Sequence, residues 1–96
     1  MPQTLNPLET LETEFGSTLQ GLDTSEKLHL LSILSMREQQ VEDGDNPNEY
    51  HVTTAYADHP FAGTESIDRC CEILDFLPSR QTRALLLALA NQINQP

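Results

Sequence analysis

Residues 19–34 read LQGLDTSEKLHLLSIL, and residues 74–89 read LDFLPSRQTRALLLAL. Five leucines keep one register across the two stretches. Leu19, Leu22, Leu30, Leu31 and Leu34 return as Leu74, Leu77, Leu85, Leu86 and Leu89, each shifted by 55 positions, and Gln40 falls on Gln95 by the same shift. Each copy has a helix ending in Leu-x-x-Leu, a polar turn, and a second helix carrying Leu-Leu-x-x-Leu. A lone hairpin of this kind cannot bury its apolar stripe, so two copies are expected to close over one interior. The expected fold is therefore all-α, a four-helix arrangement of two helical hairpins over 6–41 and 64–95, joined by a long acidic and aromatic loop over 42–63, in a single domain spanning 1–96.

Local signals agree with these bounds. Asn6-Pro7-Leu8-Glu9 offers a capping side chain, a proline suited to the first helical position and a glutamate where a capping box needs one. Leu8, Leu11, Phe15, Leu19 and Leu22 then follow helical spacing. Gly16 and Gly21 each weaken that helix by ~1 kcal/mol relative to alanine, and Gly21 marks its expected end. Asp23-Thr24-Ser25-Glu26 is a second capping box, and the helix after it carries Leu28, Leu30, Leu31, Ile33, Leu34 and Val41, wide enough around its circumference to predict the most buried element. A third helix is expected from Thr64–Ser66 through Ile67, Cys70, Cys71, Leu74 and Leu77. The last follows the Pro78-Ser79 turn with Leu85, Leu86, Leu89 and Ile93.

Composition bounds the function. Fifteen acids against five Lys and Arg give a net charge of −10, which opposes nucleic-acid binding and favours a basic protein surface as partner. Residues 1–62 hold eleven acids and two bases, and residues 63–96 hold four acids and three arginines, so the negative field belongs to the first half. Adjacent Cys70 and Cys71 do not suit a disulfide, because neighbouring helical side chains diverge and the bridge would be strained. Reduced thiols and a cytoplasmic location are the expectation. No apolar run approaches the roughly 20 residues that span a bilayer.

Catalytic and metal signatures are weak. The string from Asp43 has Pro47, Asn48 and Thr54 where a calcium loop needs an oxygen ligand, a glycine and a glutamate. His51, Asp58, His59 and either cysteine have no metal-ligand spacing. His29 lies in a leucine-rich helix, with no nucleophile elbow, phosphate loop or paired-acid motif elsewhere. The chain is thus expected to act without catalysis, without a cofactor and without a metal.

The connecting segment runs from an acidic, turn-rich part (Glu42 to Glu49) into Tyr50-His51-Val52-Thr53-Thr54-Ala55-Tyr56, whose composition is strand-like but has no partner strand. An ordered loop over the bundle is expected, and connections this long tend to be functional or disordered. The partner-binding residues expected are Tyr50, Tyr56 and Phe61 as apolar anchors, Asp43, Asp45 and Glu49 as the acidic field, and Arg80 and Arg83 as a basic rim at the start of the last helix. Self-association is expected too, if so small a core leaves leucines uncovered.

The run Leu19 to Gln39 and, after the loop, Cys71 to Pro96 with its Leu-Leu-Leu-Ala-Leu-Ala-Asn-Gln stretch resemble part of the N-terminal helical domain of the orange carotenoid protein family. The resemblance implies an all-α domain from interleaved helical bundles, a bound keto-carotenoid and docking onto a light-harvesting antenna. Where that family sets aromatic rings against the pigment, this sequence has Ser32 and Ser35, and it contains no Trp. The reading that follows is a protein-binding adaptor or regulatory module. Alternatives are an apolar-ligand (carotenoid) carrier and an acidic inhibitor that mimics nucleic acid.

Overall fold

In the computed structural model, residues 6–44, 46, 49–60, 63–75 and 77–94 are described, and among them there are only helices and turns. α1 is Pro7–Phe15, α2 Thr24–Glu42, α3 Val52–Asp58, α4 Glu65–Leu74 and α5 Ser79–Ile93. The chain is all-helical. The helix starts sit where side chains satisfy otherwise unpaired N–H groups. Asn6 Oδ1 accepts from the Glu9 amide at 2.9 Å. Asp23 and Glu26 exchange both bonds of a capping box, at 2.8 and 3.2 Å. Thr64 Oγ1 accepts from the Ile67 amide at 3.3 Å and donates to Glu26 Oε2 at 2.6 Å, which ties the start of α4 to the start of α2.

The first helix ends earlier than its leucine spacing predicts. It stops at Phe15 because Gly16 turns to φ 95°, a conformation side chains with a Cβ rarely adopt. The chain then reaches α2 through a tight turn in which Gly21 donates to the Phe15 carbonyl at 2.8 Å. Leu19 lies in that turn with φ 55°, yet its side chain is buried with Leu22, so the leucine register survives where the helix does not.

The core follows the repeat. Leu19, Leu22, Leu30 and Leu34 are buried and Leu31 is half-buried. Their counterparts Leu74, Leu77, Leu85 and Leu89 are buried and Leu86 is half-buried. Val52, Ala55, Ile67, Cys70 and Cys71 complete one apolar cluster. The helices pair across the repeat: α1 lies on α4 and α2 on α5, first helix with first and second with second. α2 also touches α3 and α4, but α4 likewise touches three helices, α1, α2 and α3, so α2 does not stand apart as the most covered element.

The connecting segment contains a helix where an ordered loop over the bundle was expected. Val52 and Ala55, three positions apart, are both fully buried, a match to helical rather than strand spacing. The Thr53 amide and hydroxyl donate to Asp75 Oδ1 at 3.0 and 2.6 Å, so a carboxylate from the end of α4 caps α3 from outside. That tertiary cap and the burial of two small apolar side chains override the β-prone composition.

Candidate partner-binding surface

Carboxylates gather on the α1–α4 pair. Glu9, Glu12 and Glu14 on α1 and Glu65, Asp68 and Glu72 on α4 are all exposed. The single cation of these two helices, Arg69, grips Glu14 with Nε at 2.8 Å from Oε2 and Nη2 at 2.6 Å from Oε1, and lies 3.6 Å from Glu72. The hydrogen bonds from Arg69, opposed by burial and helped by the Arg69 charge, hold the Glu14 carboxyl below its ordinary 4.5. The surface is strongly negative, with Glu14 kept ionised.

The residues expected to bind a partner are spread over several elements. Asp43 is exposed at the C-terminal end of α2 and Glu49 is exposed before α3. Asp45 and Phe61 lie outside the described residues. Tyr50 is half-buried. Its hydroxyl donates to Asp58 Oδ2 at 3.2 Å and its carbonyl accepts from Arg37 Nε at 3.2 Å. Tyr56 is half-buried as well, donating to Asp68 and accepting from the Gly63 amide at 3.1 Å. The bond to Asp68, then burial and the Asp68 charge, push the Tyr56 phenol above its ordinary 10.0. Both tyrosines tie the connecting segment to the bundle with one edge exposed.

Arg80 and Arg83 start α5, and both are exposed. Arg83 is matched by carboxylates of α2, at 3.2 Å from Glu38 and 3.2 Å from Glu42. Beneath it lies a polar cluster missed in the sequence. Arg37 and Glu38 are buried at 4% and 7% exposure and paired at 2.5 Å. Arg37 also donates to Ser79 Oγ at 3.0 Å. The signal was present: Leu30, Leu34 and Arg37 follow the spacing of a buried stripe, so a charge at position 37 implies a buried partner.

A second group missed in the sequence joins α2 to the segment after α3. Ser32 Oγ shares a hydrogen bond with His59 Nε2 at 2.8 Å, and the His29 ring lies 4.8 Å from that of His59 and 6.2 Å, edge-on, from that of Tyr56. Among the described residues no three His, Cys, Asp or Glu side chains come together to hold a metal. Cys70 and Cys71 are free, buried thiols, and burial pushes both up to about 12, so neither is a thiolate near neutral pH. Among the described residues no helix is long and apolar enough to cross a membrane.

The described surface thus combines a carboxylate-rich pair of helices with a polar cluster buried between α2 and α5. No protein-family model, curated protein or solved structure matches the chain.

Proposed function

We propose that this protein is a non-catalytic, acidic protein-binding module, an adaptor or regulator that captures a basic protein surface on the α1–α4 face. The observation that carries the reading is the set of six exposed carboxylates on two adjoining helices against one arginine that is already paired. Such a field accelerates encounter with a positive surface and repels nucleic acid and other acidic proteins. Tyr50 and Tyr56, at the edge of the connecting segment, supply aromatic contact area beside Asp58 and Asp68.

The test is capture from native extract on the immobilised chain, repeated with a Glu12→Gln, Glu65→Gln, Glu72→Gln variant. Retained proteins should be basic, should elute as NaCl rises past about 0.3 M, where exposed charges are screened, and should be lost with the variant. Retention indifferent to both salt and variant would remove the proposal. The excess of exposed carboxylates on these two helices also favours a narrower reading, an inhibitor that imitates the phosphates of nucleic acid. Under it the captured proteins are nucleic-acid enzymes, and added duplex DNA competes them off the column.

A further inference from the structure

The carboxylates avoid one surface. α5 carries none from Ser79 to Ile93, and α2 carries none between Lys27 and Arg37. These two helices lie against each other, and the carboxylate that closes their outer side, Glu42, is paired with Arg83 at 3.2 Å. The same side holds the two large apolar side chains that are exposed among the described residues, Leu28 at 50% and Leu87 at 65% exposure. Near Leu28 an open groove of about 490 Å³ is lined by Leu31, Ala90 and Ile93. The 55-residue shift makes the pattern sharper, because it maps position 28 onto 83 and position 38 onto 93. Leu28 and Ile93 thus stand at one end of the helix pair where Arg83 and Glu38 form an ion pair at the other. An apolar pair, exposed Leu28 and half-buried Ile93, stands where the other end has a charged one.

Charge selects what covers this face. A basic protein is drawn to the carboxylates of α1 and α4 and would meet Arg80 and Arg83 here, while phosphate-bearing surfaces are repelled by a net charge of −10. A second copy of the chain is the partner for which a face poor in carboxylates, with Glu38 and Glu42 both paired to Arg83, matters most, since two such copies repel wherever unpaired acids oppose. The area is sufficient. With 19 and 15 residues, α2 and α5 are about 28 and 22 Å long. At an interaxial distance of about 9 Å they present roughly 500 Å² per copy, or about 1,000 Å² for two, the size at which specific interfaces begin.

We propose that the outer side of α2 and α5, centred on Leu28 and Leu87, is a homodimer interface. Two carboxylate-rich faces then sit on one particle, and a basic partner with repeated sites is bound by avidity.

Sedimentation equilibrium of the full chain, in about 50 mM and about 500 mM NaCl, tests the interface directly. The wild type is expected at twice the 10.8 kDa chain mass, with association tightening as salt screens the repulsion between copies. The Leu28→Asp, Leu87→Asp variant should dimerise at least about 100-fold more weakly with an unchanged far-UV circular dichroism spectrum. Ser35→Arg, which adds a bulky charge at an exposed site on the same helix face, should weaken it without removing any apolar side chain. A wild-type monomer at about 100 μM in both salts, or dimerisation of all three forms alike, overturns the proposal. Capture of a basic partner weakens with salt and self-association strengthens, so the failure of one reading leaves the other measurable.

Discussion

Arg69 on α4 holds Glu14 on α1 through a two-pronged ion pair at 2.6 and 2.8 Å, and the two residues are the same position in the two copies of the sequence repeat, 55 residues apart. Positions that share a place in the leucine register thus meet across the α1–α4 contact. The burial of the leucines obeys the same relation. The halves are built from equivalent residues, yet at this point they carry opposite charges.

Charge reversal tests that pairing. Glu14→Arg alone should lower the thermal midpoint by setting two arginines together, and Glu14→Arg with Arg69→Glu should restore most of the loss. With Glu14 held below its ordinary 4.5, the folded protein binds its proton less readily than the unfolded chain does. The stabilisation is therefore present above about 4.5 and lost as pH falls through the depressed value. Midpoints measured by circular dichroism from pH 7 to 3 should fall more steeply for the wild type than for Glu14→Gln. Parallel curves would show that the pair contributes nothing.

Removing one partner from the buried polar cluster should be severe. Glu38→Ala leaves the Arg37 guanidinium buried beside Ser79 with its carboxylate gone, and a loss of roughly 3 kcal/mol or more in urea unfolding is expected. Arg37→Met with Glu38→Leu removes both charges together and should lose far less. A Glu38→Ala loss no larger than that of the double variant would contradict the pairing.

The thiols should be silent in the native state. Both cysteines are pushed up to about 12 from an ordinary 9.0, chiefly by burial, so a thiol reagent at pH 8 should label them only as the protein unfolds. The same shift has a stability consequence. A thiol that ionises less readily when folded stabilises the protein fully below about 9, and that contribution disappears between about 9 and about 12. A fall on the order of 1 kcal/mol per pH unit per thiol is expected there. Cys70→Ala with Cys71→Ala should flatten the alkaline limb of a stability profile, and native labelling as fast as in urea would refute the buried placement.

Paralogous leucines should behave as pairs. Leu34→Ala and Leu89→Ala each empty a fully buried site and should each destabilise by about 2–5 kcal/mol. Leu31→Ala and Leu86→Ala, at half-buried sites, should lose less, by similar amounts. Chemical unfolding of the four variants would show whether the two halves share one core, and large differences within either pair would argue against it.

Much of the scaffold was legible in local chemistry. The Asn6 cap and the Asp23–Glu26 capping box stand where residue type and spacing put them, because both are decided within four residues. The leucine register was legible as well, since side chains at helical spacing must be covered wherever the helices go. The early end of α1 at Gly16 was not, because helical spacing of Leu19 and Leu22 continues through a turn that buries them in another way. Each carboxylate of α1 and α4 could be counted in the sequence, but that the two acidic helices are neighbours depends on α1 lying against α4.

The sequence by itself did not determine that Leu28 is left half exposed, but it determined that the chain is helical, where α1, α2 and α4 begin, that the repeated leucines are inside, and how negative the molecule is. These follow from periodicity, capping and composition, which act over a turn or two of helix. The tertiary structure decided that helices pair across the repeat, that Val52–Asp58 is a helix, and that Arg37 and Glu38 are buried together. Each of these rests on contacts between residues far apart in the chain: Asp75 capping α3, Ser79 and Arg83 meeting Glu38, Arg69 meeting Glu14. Such contacts gain their energy only once the core has brought the segments together, so local sequence preferences do not encode them.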